Sequence, residues 1–296
     1  MRKTFYSRVI LLSVLLFALT LLGGAWAASL PYIDRSKVRI FIKPGQKYFG
    51  ELFVENPTAE SRSMIVYLED WYYLPENDGS KEFVPAGSRQ NSCTNWMNFS
   101  PAELRVPAFG KQRISYSIDV PANASGGYYT AMFFETSVAK LSENVSSDER
   151  GAGIDLKVRI ATLFYVEAEG TVNTQVNIDN LSVEKDFSTG GLVLGADFRN
   201  EGNVDVTAGG DFYIIDSQGM IFARGELNDV YTFPGDQAQI LGRWKDSVPS
   251  GRYDLVINLD LDRSKGEGGR RSPLITREAE IEIGRNTEVL RVGPLR

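Results

Sequence analysis

The chain has 296 residues, with 32 basic against 38 acidic side chains, a single cysteine and no histidine. The missing histidine removes the commonest general base and the commonest metal ligand, so Ser-His-Asp, Cys-His and zinc chemistries cannot be built. A lone cysteine, Cys93, excludes an internal disulfide, and the acidic balance argues against nucleic acid or anionic lipid as a general partner.

The first element is a secretory signal. Arg2, Lys3 and Arg8 lead into the apolar stretch "VILLSVLLFALTLLGG", and Ala25-Trp26-Ala27 puts small residues at the −3 and −1 places. Residues 1–27 are therefore expected to be removed, leaving Ala28 as the mature N-terminus. Were the segment kept, its uncharged run from Val9 to Ala28 would just span a bilayer, so membrane contact is expected only there. Cleavage takes three basic and no acidic residues, which leaves 29 against 38, a charge of −9. The mature chain is expected to be periplasmic or secreted.

After Leu30 the sequence reads as short strands between turns: "KVRIFI", "YFGELFVE", "SMIVYLEDW", "QRISYSIDV", "YYTAMFFETSV", "GLVLGADFRN", "GDFYIID" and "RYDLVINLDL". Each is rich in β-branched and aromatic residues and bounded by Gly, Pro, Asn or Asp. That spacing predicts an all-β protein of two tandem immunoglobulin-like β-sandwiches. A weak internal repeat supports the duplication. "FVENPT", "RVPAFGKQRISYSI" and "DVPANASGGYYTAMFF" are echoed in the same order by "DFRNEGNVDV", "YTFPGDQAQILGRW" and "SVPSGRYDLVINLD". The domains are expected over 28–170 and 171–284, able to fold separately, with a polar, poorly ordered tail at 285–296. "LSENVSSDERGAG" (141–153) and "DRSKGEGGRRSP" (262–273) read as mobile loops.

Motifs that could carry chemistry are weak. Ser137-x-x-Lys140 has the spacing of a serine nucleophile with its lysine, but it sits at a strand end and no Ser-Asp-Asn or Lys-Thr-Gly accompanies it. Asp260-x-Asp262-x-Ser264 begins like a calcium loop, yet Lys265 and Arg271 stand where glycine and the bidentate glutamate belong. Glu69 and Asp70 are neighbours on a strand, point to opposite faces and read as surface charge. No catalytic residue, metal site or cofactor is expected. The aromatic group Trp71, Tyr72, Tyr73, Trp96 and Phe99 is the remaining candidate, either as sandwich filling or as a platform for envelope polysaccharide.

"GIDLKVRIATLFYVEAEG" (153–170) alternates more strictly than any other stretch. Ile154, Leu156, Val158, Ile160, Thr162, Phe164 and Val166 share one side. This side faces either the protein's own core or a second chain; alternation alone fits both. The segment, with "IDRSKVRIF" near the start, resembles the periplasmic pilus-assembly chaperones, the PapD-like family. In that family a long alternating strand runs into a Leu-Phe-Tyr block, here Leu163-Phe164-Tyr165, and a basic anchor precedes a Val/Ile-Phe segment. Lys37 matches that anchor, with Arg35 and Arg39 beside it. Thr162 stands where the family has its second basic anchor, and Val166-Glu167 replaces its Arg-Pro ending. The resemblance covers residues 31–168. It implies a non-enzymatic protein that binds secreted or cell-surface subunits by strand addition, with Lys37, Arg35, Ile154, Leu156, Val158 and Ile160 as the partner-binding residues. The alternative is an envelope or carbohydrate-binding module built on the aromatic group.

Overall fold

The computed structural model describes residues 30–142, 153–261 and 274–296; the signal segment, residues 143–152 of the stretch 141–153 expected as a mobile loop, and the whole of 262–273 lie outside the described residues, while 141, 142 and 153 fall in strands. With 262–273 goes the calcium-like stretch beyond Asp260.

The first half is a sandwich of ten strands: β1 (Tyr32–Ile33), β2 (Lys37–Ile42), β3 (Lys47–Glu55), β4 (Arg62–Tyr73), β5 (Lys81–Pro85), β6 (Met97–Ser100), β7 (Glu103–Val106), β8 (Lys111–Asp119), β9 (Gly126–Ser142) and β10 (Gly153–Ala168). One sheet runs β1-β3-β8-β6. The other runs β2-β10-β9-β4-β5, with β7 also on β4. Between them lies a core that includes Val38, Ile40, Leu52, Val54, Ile114, Ile118, Met132, Phe134, Phe164 and Val166. Period-2 alternation puts these on inner faces, and full burial of each large apolar side chain contributes about 1.5–3 kcal/mol.

The second half holds β11 (Val176–Lys185), β12 (Leu192–Asn200), β13 (Val206–Asp216), β14 (Ile221–Thr232), β15 (Gln237–Trp244), β16 (Gly251–Asp260), β17 (Leu274–Ile283) and β18 (Val289–Val292). Their hydrogen-bonded order is β11-β12-β15-β14-β13-β16-β17-β18. The corner is β14, which pairs with β13 over most of its length and with β15 only at Leu227–Gly242. Leu194, Phe198, Phe212, Ile214, Leu255, Ile257 and Ile281 fill the space enclosed. The protein is thus two tandem immunoglobulin-like β-sandwiches. Residues 285–296 are not the loose tail their polarity suggested. Strand β18 pairs with β17, Val289, Val292 and Leu295 pack on the core, and Arg296 and Glu278 exchange backbone hydrogen bonds.

The repeat has a physical basis. Asn56 and Asn200 are both buried at strand ends. Each side-chain oxygen accepts from the backbone N–H two residues on, Thr58 at 3.1 Å and Gly202 at 3.0 Å. Each amide donates to the carbonyl four residues on, Glu60 at 2.7 Å and Val204 at 2.9 Å. Each backbone N–H also reaches the Pro/Gly turn of its own half, at Gly110 and Asp236. The side chain mimics a backbone turn.

The halves meet through an aromatic cluster and a buried ion group. Trp71 (2% exposed), Tyr73, Tyr129 and Tyr165 of the first half surround Phe233 of the second, with the Trp71 and Phe233 centroids 4.8 Å apart. Arg39 on β2 bonds Glu167 on β10 and reaches across to Asp205, at 2.9 and 2.7 Å. Burial alone would lower the guanidinium pKa; Asp205 and then Glu167 override it and push it up. The Tyr129 hydroxyl accepts from the Asp205 backbone N–H at 2.6 Å. Gly126, at φ +81°, lies so close to the Asn203 carbonyl that a Cβ there would fall 2.3 Å from it, so this approach requires glycine.

Candidate functional site

β9 and β10 form a long antiparallel hairpin, from Ala168 opposite Gly126 to Gly153 opposite Ser142. A bulge on β9 falls where Leu156 pairs with Ala139 and Lys157 with Ser137. On its other edge β10 is paired with β2, in parallel, but only from Leu163 to Ala168. The Leu163 N–H donates to the Ser36 carbonyl and the Glu169 N–H to that of Ile42. Odd-numbered residues therefore turn their backbone groups to β2. Above Leu163 the same side of the strand carries the N–H and C=O groups of Ala161 and Arg159, and among the described residues no strand pairs with them.

The apolar side of β10 changes character along its length. Phe164 and Val166 are fully buried in the first core, and Thr162 is buried too. Ile160 is half-buried against the same core, Val158 is half-buried, and Leu156 is 54% exposed. Ile154 continues the strand opposite Leu141. The strand is core-facing below Leu163, and above it the apolar face grows more exposed beside an edge that no other strand among the described residues covers.

The basic residues sit at the lower end of that edge. Lys37 opens β2 opposite Leu163, and its Nζ lies 4.5 Å above the Tyr165 ring. This places it on the outer face of the sheet, opposite to the face of Leu156, Val158 and Ile160. Arg35 is exposed, 3.9 Å from Asp34, and its carbonyl accepts the Thr162 hydroxyl at 2.7 Å. This bond from the buried Thr162 fixes the chain just before β2 begins.

The outer face of β10 carries a charged row that sequence inspection did not single out. Lys157 bonds Glu135 on β9 at 2.9 Å, and the Tyr67 hydroxyl donates to the same carboxylate at 3.1 Å. The bond from Lys157 holds the Glu135 pKa below its usual range. Arg159 bonds both oxygens of Glu69 at 3.1 Å and lies 4.5 Å over the Phe133 ring. Only the odd-numbered positions of the alternation could have signalled these residues; their partners lie 22 and 90 positions away.

The aromatic platform is overturned as a sugar-binding surface. Trp71 and Tyr73 are buried between the two halves, and Trp96 packs on Tyr128 at 4.1 Å, so they present no exposed coplanar row. Asp70 is also not surface charge. It is 1% exposed and accepts from the Arg89 N–H, the Ser92 hydroxyl and the Thr94 hydroxyl at 2.7–2.9 Å, anchoring the connection from β5 to β6. Ser137 lies in the β9–β10 ladder opposite Lys157. Among the described residues no group of three or more potential metal ligands comes together.

No family model and no curated protein matches the chain. Solved structures similar to it include the class 5 fimbriae chaperone CfaA, at 12% identity and a TM-score of 0.45 over 83% of this chain and 98% of that one. A chaperone–tip adhesin complex of CFA/I fimbriae matches at 12% and 0.43, over 84% and 98%. The Pseudomonas aeruginosa CupB2 chaperone matches at 10% and 0.39, over 83% and 98%. Likenesses this distant assign no residue a role.

Proposed function

We propose that the protein is a non-enzymatic, extracytoplasmic binding protein that takes a strand of a secreted or surface subunit onto the upper edge of β10, in the manner of a pilus-assembly chaperone. The observation that carries this reading is that no strand among the described residues pairs with the backbone of Arg159 and Ala161, beside the graded apolar face of Leu156, Val158 and Ile160. An added strand gains about 0.5–1.5 kcal/mol per backbone hydrogen bond and places alternate side chains against that face. Lys37 and Arg35 stand where such a strand would end, and a terminal carboxylate there would meet positive charge. The units are proposed to divide between Ala168 and Val176, so that the first half carries the partner site and the second supports it.

The test is Leu156→Glu with Val158→Glu. The double variant is expected to lose the envelope proteins that the wild type retains in a pull-down, while its melting temperature moves by only a few degrees, since these side chains are not enclosed. Phe164→Glu, in the closed part of the same strand, is expected to unfold the first half. A double variant as unstable as Phe164→Glu, or one that still binds, would sink the reading. Lys37→Ala is expected to weaken binding without unfolding.

Export is proposed from the Ala25-Trp26-Ala27 ending. N-terminal sequencing of the protein recovered outside the cytoplasm is expected to start at Ala28; an intact Met1 in the membrane fraction would rule cleavage out.

A further inference from the structure

The chain is acidic, yet the described charged side chains along the outer face of upper β10 are the basic Lys157 and Arg159, with Lys37 and the Asp34-paired Arg35 at its lower end. The carboxylates that balance the first two lie further in, Glu135 on β9 and Glu69 on β4. Across the sheet the outer face therefore reads acid, acid, base, and then stops at a backbone edge that no strand among the described residues covers. Both bonds from Arg159 to Glu69 leave from Nη1, and the Lys157 and Arg159 side chains remain about half exposed.

Resting on the strand-addition reading, we propose that the occupant of this edge is a strand of another chain that alternates apolar with acidic residues. Its apolar side chains lie on Leu156, Val158 and Ile160, and its carboxylates stand cross-strand from Lys157 and Arg159. Opposite charges in cross-strand positions stabilise a pair of strands, and like charges destabilise it. The same rule disfavours a second copy of this chain. In an antiparallel pair of two β10 edges, a two-fold axis at Arg159 sets Arg159 against itself, and an axis at Val158 sets Arg159 against Lys157. In these two registers the cations oppose self-pairing, whereas an acidic strand meets them with opposite charge.

The test uses three fluorescent nine-residue peptides that alternate valine with glutamate, serine or lysine, titrated into the whole mature protein by anisotropy. The glutamate peptide is expected to bind about tenfold tighter than the lysine peptide, with serine between them, and 0.5 M salt is expected to erase most of the difference. The variant Lys157→Gln with Arg159→Gln is expected to abolish the preference and leave serine-peptide affinity within about twofold, because both side chains lie on the surface. Equal binding of all three peptides, or a preference for lysine, would overturn this proposal and leave strand addition standing. No binding of any peptide would overturn strand addition and this proposal with it. Dimerisation of the wild type that Leu156→Glu abolishes would make the occupant a second copy and overturn the proposal as well.

Discussion

Replacing Arg39 with alanine is expected to lower the unfolding free energy by roughly 3–5 kcal/mol, one of the two largest losses available from a single substitution here. The Arg39 side chain is 10% exposed, and those of Glu167 and Asp205 are each 2% exposed. Removing the guanidinium strands two negative charges side by side in a low-dielectric seam, where the cost is set by desolvation rather than by the modest net worth of the intact pairs. Because Asp205 belongs to the second half, the damage should also loosen the junction between the sandwiches. The triple variant Arg39→Met, Glu167→Gln, Asp205→Asn is expected to regain much of the loss, since it removes the charges together. Urea denaturation measures both; an Arg39→Ala variant within about 1 kcal/mol of wild type would mean that the group is not closed to water.

Trp71→Ala is expected to cost a similar amount, about 3–5 kcal/mol. Its ring touches Tyr73, Tyr165 and Phe233 at centroid distances of 5.1, 5.6 and 4.8 Å, and Tyr129 at 6.3 Å. Deletion leaves a void lined from both halves, which neither can fill by itself. The cluster also explains the tyrosine chemistry: burial pushes the Tyr73, Tyr129 and Tyr165 hydroxyls up, so all three stay protonated while the junction is closed. The same urea experiment checks Trp71→Ala, and its effect is not expected to add to that of Arg39→Ala, because both act on one interface. A loss under 1 kcal/mol would show that the second half does not lean on this ring.

The fold was largely legible in the sequence because alternation and turn chemistry are local. Residues 153–170 announced a strand that the structure places at Gly153–Ala168, and Asn56 and Asn200 announced matching turns. What stayed hidden depends on residues far apart in the chain. Arg39 meets Asp205 across 166 positions. Strand β18 exists because β17 offers it an edge, which the polarity of residues 285–296 conceals. Trp71 looked the same as an exposed aromatic until Phe233 was placed against it. The site itself was half legible. The row from Ile154 to Val166 is uniform in sequence, and nothing in that uniformity marks Leu163 as the point where β2 stops pairing and the edge opens.

Amide hydrogen exchange of the mature protein reads out that opening residue by residue. Leu163 and Tyr165, inside the ladder with β2, are expected to exchange only through unfolding. Arg159 and Ala161 are expected to exchange orders of magnitude faster in the protein alone and to slow when the glutamate-patterned peptide is added. Amides at Arg159 and Ala161 as slow as those at Leu163 and Tyr165, with no peptide present, would mean that the upper edge of β10 is closed.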